Sequence, residues 1–346
     1  MTGPTWRLPA EWEPQAAILL AWPHAGTDWA GQLPQVEDTY LALLAAITRF
    51  EPALVIVADA ALESRVRGLL PTAAITGSRV RFVQADYDDT WLRDSGPITL
   101  VAADQFRLND FRFTGWGGKF AASRDDRLVG ALFARGRFRH SEHRVIEFAL
   151  EGGAIDSDGA GSVLTTYRCL RQRHPTLDRP ALQQALAGFL AADRVLILES
   201  GELQGDDTDA HIDTLARFAA RDAIVFQACT DQRDCHFAPL QAMQAELAAL
   251  RTQAGAPYRL HALPWPQPIH AADGRRLAAG YANFLIVNGA VLLPTYGDPA
   301  DALAAQVLAS AFPDRQIVPV PARALIEQNG SLHCLTMQLP QGVLHE

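Results

Sequence analysis

Residues 153–166, GAIDSDGAGSVLTT, contain the turn that decides the fold. Two short apolar runs flank Asp158-Gly159, a dipeptide suited to a tight turn between antiparallel strands, so the stretch predicts a β-hairpin. The same plan recurs in four other stretches, the last of them shortened: residues 96–111, 212–228, 281–296 and 331–340. Hairpins therefore recur about every 60 residues, as in a chain built from repeated supersecondary units.

A helix and a single apolar strand are predicted between successive hairpins. Apolar residues with helical spacing occur in residues 36–50, 127–134, Arg179–Leu190, 240–250 and Ala300–Ala311. Asp178 before Arg179-Pro180 marks one helix start, since an acidic cap and a proline in the first turn both favour a helix N-terminus. Predicted strands follow the helices at residues 53–58, 143–150, 194–200, 259–264 and 316–320.

Five hairpin-helix-strand units predict an α/β protein, and two architectures accommodate them. One is a doubly wound sheet, and the other is a ring of small sheets arranged as blades. The hairpins favour the ring, because a parallel doubly wound sheet has crossover helices and few hairpins. No linker or biased tract divides the 346 residues, so we expect a single domain over residues 1–346.

Composition and charge narrow the classes of function. The formal net charge of −9 argues against a nucleic-acid surface and favours a neutral or cationic small substrate. Near the start, residues 16–22 form only a short apolar run, which predicts neither a signal peptide nor a membrane span, and so a cytoplasmic protein. The cysteines at positions 169, 229, 235 and 334 are too scattered for a disulfide framework or a zinc site, so no metal is predicted. Cys169 and Cys229 have apolar neighbours and are interpreted as core residues.

Reactive side chains fall at the same place in successive units. Asp94 precedes the first hairpin and Glu151 the second, His211 and Asp213 precede the third, and Cys334 lies at the last. The intervals are 57 residues from Asp94 to Glu151 and 60 from Glu151 to His211, which match the period of the units. In a ring such corners converge on the axis. The sequence therefore predicts a carboxylate-lined pocket with a thiol and an imidazole, suited to covalent catalysis on a cation.

Each of these residues has a simpler interpretation when taken alone. Asp94 fits a turn acid, Glu151 an exposed loop acid and Cys334 a buried structural cysteine. His211 and Asp213 are two positions apart and would share one face of a strand, which suits a general acid/base with a carboxylate beside it.

His333 and Cys334 are adjacent in a segment that is predicted to be a strand. On a strand their side chains would point to opposite faces. We therefore interpret His333 as a packing or hydrogen-bonding residue rather than as the base that serves Cys334.

Several motifs give the chain a family resemblance. They are LPAEWEPQAAILLAWP (8–23), DTWLRDSGP (89–97), FTGWGGKF (113–120), EGGAIDSDGAGSVLTT (151–166), GDDTDAHIDTLARF (205–218), YANFLIVNGAVLLPTYGD (281–298), FPDR (312–315) and GSLHCLTMQLP (330–340). In this order they resemble the agmatine deiminases and bacterial-type peptidylarginine deiminases, within the guanidino-group-modifying enzymes.

The resemblance implies a fold and a set of site residues. The fold is a five-bladed α/β propeller with fivefold pseudosymmetry. Cys334 is implied as nucleophile and His211 as general acid/base, and three acids are implied to hold the guanidinium and orient His211: Asp94, Glu151 and Asp213. Trp91 matches an aromatic near the substrate. Trp116 matches a motif residue, although a core role suits it equally, and a homodimer is suggested by the resemblance alone.

The chemistry expected of these residues is hydrolysis of agmatine to N-carbamoylputrescine and ammonia, a step in polyamine metabolism. Cys334 would attack the guanidinium carbon, His211 would protonate the leaving nitrogen, and water activated by His211 would hydrolyse the thiouronium intermediate. No cofactor is required. Because carboxylates raise the pKa of a nearby thiol, we expect the Cys334 thiolate to form mainly when a cation is bound.

Agmatine is preferred as substrate because the motifs supply no basic clamp for the α-carboxylate of arginine. Asp88, Asp89 and Asp207 are placed to meet a distal ammonium, or are solvent-facing loop acids. The alternatives are a peptidylarginine or free-arginine deiminase and, outside the enzymes, a non-catalytic propeller that serves as a binding module.

Overall fold

Five small β-sheets with helices between them make up the computed structural model, which describes residues 4–345. The strands are β1 (Gln15–Ala21), β2 (Ala53–Val57), β3 (Val80–Gln84), β4 (Ile98–Ala102), β5 (Gln105–Arg112), β6 (Ser141–Ala149), β7 (Ile155–Ser157), β8 (Ser162–Thr166), β9 (Arg194–Leu198), β10 (Ala216–Ala220), β11 (Ala223–Gln227), β12 (Arg259–Leu263), β13 (Leu285–Val287), β14 (Ala290–Thr295), β15 (Gln316–Pro321) and β16 (Thr336–Pro340). The helices are α1 (Leu33–Thr48), α2 (Ala60–Leu69), α3 (Leu92–Ser95), α4 (Gly115–Gly118), α5 (Leu128–Ala134), α6 (Tyr167–Arg173), α7 (Arg179–Leu190), α8 (Phe237–Ala249) and α9 (Ala300–Ala311). Between residues 4 and 345, none of the helices is both long enough and apolar enough to span a bilayer.

Four of the sheets share one pairing pattern. An antiparallel hairpin is followed, after a helix, by a strand that pairs in parallel with the second hairpin strand: β4-β5-β6, β7-β8-β9, β10-β11-β12 and β13-β14-β15. The remaining sheet has the order β16-β1-β2-β3, with β16 antiparallel to β1 and Met337 opposite Leu19. The last strand of the chain thus completes the sheet that the first strand begins.

The structure confirms the predicted α/β class and four of the five predicted hairpins; in the fifth, residues 331–340, a turn leads into the single strand β16, which pairs with β1. In the hairpin of β7 and β8 the turn spans four residues rather than two, because Asp158 Oδ1 accepts the backbone N–H groups of Ala160 and Ser162, each at 2.8 Å. Gly159 and Gly161 have φ values of +68° and +97° in this turn, which glycine adopts without steric cost. Helices α7 and α9 have the predicted bounds, whereas α1 and α8 begin three residues earlier than predicted.

Two segments that were expected to be strands are turns. Residues 332–335 form a turn before β16, and the side chain of Asn283 accepts the backbone N–H groups of His333 and Cys334 at 3.1 and 3.2 Å. The expectation for His211 and Asp213 was wrong as well, since Ile212–Thr214 is a 3-10 turn and β10 begins at Ala216. Left-handed backbone at Asp209 and Ala210, each with φ +69°, breaks any extended segment there.

Five large apolar clusters join the sheets. Four of them each connect two sheets that follow one another along the chain. In one of these, Leu186 of α7 packs with Ile146 of β6 and Val195 of β9. The fifth cluster contains Leu292 of β14 and Val55 of β2, so the last sheet packs against the first. Each sheet therefore buries apolar residues against two neighbouring sheets.

The N-terminus of α7 offers a test of local stability. Asp178 accepts the backbone N–H of Ala181 at 2.9 Å, and Pro180 occupies the first turn. We expect Asp178→Ala to lower the free energy of unfolding by about 1 kcal/mol, because the N–H loses its cap. Asp178→Ser keeps an acceptor and is the control. Equal urea unfolding curves for the two variants would contradict this assignment.

Candidate active site

The predicted reactive residues each lie a few positions before the first strand of a sheet. Asp94 is in α3 before β4, Glu151 precedes β7, Asp213 precedes β10 and Cys334 precedes β16, and all of them are buried. The remaining sheet begins with β13, and a residue that the sequence analysis did not single out, Asn283, occupies the equivalent position. The regular spacing of the units predicts a polar residue before β13, and this pattern was the signal that could have identified Asn283.

His211 is fully buried between two carboxylates. Its Nδ1 lies 3.7 Å from Asp94 Oδ1 and its Nε2 lies 3.7 Å from Glu151 Oε2. Burial by itself lowers the pKa of His211, but the negative charges around it, chiefly that of Asp94, outweigh burial and raise this pKa. His211 is therefore an imidazolium at neutral pH. The carboxylates beside it are Asp94 and Glu151, rather than the expected Asp213.

Cys334 contacts an amide and a carboxylate. Asn283 Nδ2 donates a hydrogen bond to Cys334 Sγ at 3.1 Å, and the thiol donates to Asp213 Oδ2 at 3.5 Å. Burial and the nearby carboxylates of Asp213 and Asp94 raise the pKa of Cys334 well above the ordinary value. Cys334 is therefore a neutral thiol when no compensating cation is present.

Asp94 is fixed by two donors. Trp116 Nε1 donates to Asp94 Oδ2 and the Gly153 backbone N–H donates to Asp94 Oδ1, each at 2.9 Å. Burial raises the pKa of Asp94 to about 6, so it remains mostly ionised at neutral pH. Trp116 has a left-handed backbone with φ +55°, an uncommon conformation for a bulky residue, and packs edge-on against Phe113. Trp116 therefore has both of the roles that were predicted as alternatives: it contacts the site through Asp94, and it packs in the apolar core.

A cavity of about 570 Å³ opens onto Cys334 and Asp94. The other predicted residues on its wall are Trp91, Trp116 and Asp207. Glu151, His211 and Asp213 lie buried directly behind this wall, since the side chains of His211 and Asp213 approach those of Asp94 and Cys334. The structure therefore brings the predicted catalytic and substrate-binding residues together around one cavity.

The lining of the cavity is acidic. Besides Asp94, it includes Asp28, Asp88, Asp89, Asp125, Asp207 and Glu327. Burial raises the pKa of Asp89 and that of Asp125 to about 7. Among the lining residues that the structure describes, Arg275 is the single basic side chain, and it donates to Asn329 Oδ1 and to the Glu327 carbonyl at 3.1 and 2.9 Å.

Glu151 has a cationic partner that the sequence analysis missed. Arg173, at the end of α6, donates to Glu151 Oε1 at 2.6 Å and to Asp209 Oδ2 at 2.7 Å. Burial raises the pKa of Glu151, but the nearby His211 imidazolium and the charge of Arg173 outweigh burial and lower it. Glu151 is therefore an ionised carboxylate rather than an exposed loop acid.

His333 does not point away from the site. Its Nδ1 lies 2.8 Å from Asp213 Oδ2, the same oxygen that accepts from the Cys334 thiol. The expectation of opposite faces was wrong because both residues belong to a turn rather than to a strand. The expectation of a hydrogen-bonding role for His333 is confirmed.

Two groups of side chains are close enough to share a metal ion: Glu151, Cys169 and His211, and Asp234, Cys235 and His236. Glu151 is paired with Arg173, and Asp234 is paired with both Arg276 and His236. A cationic partner on the carboxylate in each group disfavours a second cation there. We assign a metal to neither group. The buried thiol of Cys169 contacts the site, so it is more than the core residue expected.

A thiol, an imidazolium and three carboxylates around one cavity define the kind of site that carries out covalent chemistry on a cationic group. The sequence matches the Porphyromonas-type peptidyl-arginine deiminase family over residues 7–340, and the chain belongs to that family.

Three similar proteins span nearly the whole chain. An agmatine deiminase of Stutzerimonas stutzeri is 34% identical over 360 residues, covering 96% of this chain and 95% of that protein. A solved structure from Porphyromonas gingivalis, described as a candidate arginine deiminase, is 43% identical with a TM-score of 0.91, covering 98% of this chain and 100% of that one. A cysteine-to-serine variant of the C. jejuni agmatine deiminase, solved with substrate bound, is 33% identical with a TM-score of 0.91, covering 99% and 98%.

Gly153 leaves the space in which the site residues meet. A Cβ atom at this position would lie 2.7 Å from His211 Nδ1, 2.8 Å from Asp94 Oδ1 and 3.0 Å from Asp213 Oδ2. We expect Gly153→Ala to lower deiminase activity about 10²-fold, since displacements of this size misalign reacting groups. Ammonia release is the measurement. Gly188→Ala in α7, where a Cβ meets nothing within 4 Å, is the control and should be fully active. Equal activity of the two variants would show that Gly153 is not required.

The raised pKa of Cys334 predicts how its reactivity depends on pH. We expect alkylation of Cys334 by iodoacetamide in the free enzyme to rise only above the ordinary thiol range of about pH 8.5. A bound guanidinium ion should move this rise to lower pH, because its charge compensates Asp213 and Asp94. The same measurement on Cys334→Ala gives the alkylation of the other cysteines, which is subtracted. A free enzyme whose thiol titrates well below about pH 7 would contradict the prediction.

Proposed function

We propose that this protein is a hydrolase that acts on a carbon–nitrogen bond of agmatine, giving N-carbamoylputrescine and ammonia. The observation that carries the proposal is the opening of one cavity onto Cys334 and Asp94, with Glu151, His211 and Asp213 directly behind. Each of these five residues has a chemical task in the reaction.

Carboxylates are proposed to hold the guanidinium. A guanidinium is planar and presents five N–H donors, which match paired carboxylates. Glu151 Oε2 and Asp213 Oδ1 are buried and have no hydrogen-bond partner within residues 4–345, and Asp94 is mostly ionised at neutral pH. Donors from a bound guanidinium would pair these oxygens. Trp91 and Trp116 would flank the bound group.

Cys334 and His211 are proposed to carry out the bond changes. Once the cation is bound, the Cys334 thiol loses its proton to the solvent in the cavity, and the thiolate attacks the guanidinium carbon. His211 gives its proton to the leaving nitrogen, which departs as ammonia and leaves a thiouronium on Cys334. Neutral His211 then removes a proton from water, and the hydroxide attacks the same carbon. The adduct expels the thiolate and gives its hydroxyl proton to solvent, which leaves the neutral ureido product. The step uses no cofactor.

The acidic lining of the cavity supports agmatine as the substrate. Asp88, Asp89 and Asp207 line the cavity, so an ammonium group at the far end of the substrate would be favoured and a carboxylate disfavoured. Arg275, the basic residue on the wall, is engaged by Asn329 and Glu327. The names of the S. stutzeri and C. jejuni relatives point the same way.

We further propose that residues 1–346 form one catalytic domain, a five-bladed α/β propeller with fivefold pseudosymmetry about an axis through the site. Support comes from the shared pairing pattern of the sheets, from the pairing of β16 with β1, and from the apolar cluster between the last sheet and the first. The homodimer and the cytoplasmic location stay predictions.

Ammonia release from agmatine, free arginine and a blocked arginyl peptide tests the function. We expect the highest kcat/KM with agmatine, and a loss of about 10⁴-fold or more for Cys334→Ala, as for removal of other catalytic nucleophiles. Cys235→Ala, at an exposed cysteine, is the matched control and should be fully active.

The outcomes separate the competing functions. Faster turnover of arginine or the peptide would show that agmatine is not the preferred substrate. Unchanged activity of Cys334→Ala would overturn the assignment of Cys334 as the nucleophile. Binding of agmatine without ammonia release by the native protein would identify a binding module.

A further inference from the structure

Glu11, in the segment before β1, lies partly buried among cationic groups. Its Oε1 accepts from Arg93 Nη1 at 3.2 Å, and its Oε2 pairs with Arg217 and accepts from Gln338 Nε2 at 2.9 Å. Burial raises the pKa of Glu11, but Arg217, His333 and Arg93 outweigh burial and lower it well below the ordinary value. Glu11 is therefore an anion, and the proposed reaction gives it no part.

His333 connects Glu11 to the site. The ring is fully buried, with Nδ1 2.8 Å from Asp213 Oδ2 and Nε2 2.8 Å from Glu11 Oε1. Its backbone N–H is held by Asn283 Oδ1 at 3.1 Å. The ring donates to both carboxylates only in its protonated form, and in that form it cannot turn about its side-chain bonds without breaking a buried hydrogen bond.

The two oxygens of Asp213 have different surroundings. Oδ2 meets both His333 and Cys334, whereas Oδ1 is buried without a hydrogen-bond partner in the part of the chain that the structure describes. Because His333 fixes Oδ2, it also fixes the direction in which Oδ1 points. A carboxylate held in this way presents one defined acceptor to a guanidinium N–H.

A role in stability alone does not account for this network. Buried ion pairs often contribute nothing relative to apolar residues of similar volume, since removing charges from water is costly. A buried chain of charged groups does hold its members in one geometry, because breaking any link leaves a buried charge unpaired.

We propose that His333 and Glu11 are positioning residues, with His333 orienting the Asp213 carboxylate toward the guanidinium and Glu11 holding His333 in place. This inference depends on the proposed function, since it names Asp213 as a substrate-binding residue. Neither His333 nor Glu11 is placed in contact with the substrate.

Two substitutions of His333 test its two ring contacts separately, the one with Asp213 and the one with Glu11. In His333→Asn the amide nitrogen lies near the position of Nδ1 and still donates to Asp213, but the contact with Glu11 is lost. In His333→Gln the amide lies near Nε2 and still meets Glu11, but Asp213 loses its donor. His261→Gln in β12, away from the cavity, is the control for loss of a histidine and should be fully active.

We expect kcat/KM for agmatine to fall about 10²-fold in His333→Gln and by no more than about tenfold in His333→Asn. The acid limb of kcat/KM should move to higher pH in His333→Gln, because a buried carboxylate without its donor takes up a proton more readily. The other charged and titratable groups around Asp213 are Cys334, His211, Arg217, Arg93 and Asp94. None of them changes in these variants.

Glu11 is tested by a double-mutant cycle. Glu11→Gln alone should lower kcat/KM about tenfold, and should lower it little further in the His333→Asn background, where the contact with position 11 is already lost. Additive effects would show that Glu11 acts independently of His333.

A binding measurement tests the inference independently of turnover, including for a variant that is less stable. Calorimetry with agmatine, using Cys334→Ala with and without His333→Gln well below the unfolding transition of each, should show weaker binding in the double variant. Equal kcat/KM, pH profile and binding for His333→Gln and His333→Asn would overturn the inference. Lack of guanidino hydrolysis by the native enzyme would overturn the proposed function instead, so the two failures are distinguishable.

Discussion

Negative charge buried around one cavity has to be compensated, and the arrangement of the site follows from this constraint. Asp94, Glu151 and Asp213 lie within a few ångströms of one imidazole or thiol, in surroundings where an unpaired carboxylate is costly. Arg173 compensates Glu151, and His211 lies between Glu151 and Asp94. The carboxylate oxygens that remain unpaired are those proposed to bind the substrate cation.

The same constraint links binding to the chemistry proposed for the thiol. Carboxylates near Cys334 keep it protonated, so the free enzyme holds an unreactive thiol in a cavity of about 570 Å³. A guanidinium that enters this cavity adds positive charge beside the same carboxylates. The proposed substrate would thus both pair the acceptors and activate the nucleophile, which restricts the reaction to cations of suitable shape.

The repeated units deliver these groups to one place. Each of the five sheets has an edge strand that begins a few residues after a buried polar side chain, and Asn283 and Cys334 occupy the last two of these positions. Apolar clusters between neighbouring sheets hold the strand ends together. Gly153, which has no side chain, keeps the central space open. Packing far from the cavity therefore decides distances within it.

Periodicity along the chain was sufficient to predict the α/β class, four of the five hairpins, the bounds of α7 and α9, and the corner positions of Asp94, Glu151 and Cys334. These features depend on local patterns, since strand alternation, helix spacing and caps are properties of short segments. Local patterns failed where a distant side chain overrides them. Residues 332–335 read as a strand, yet the buried amide of Asn283 holds them in a turn.

The sequence by itself determined which reactive groups this protein carries and the order in which the units present them. Only the tertiary structure decided which groups touch. Glu11 and His333 are 322 positions apart and meet at 2.8 Å, Arg173 pairs with Glu151 across 22 positions, and Asn283 reaches Cys334 across 51. No local pattern encodes such pairings, because a buried charge takes its partner from whichever segment the packing of the sheets brings within hydrogen-bonding distance.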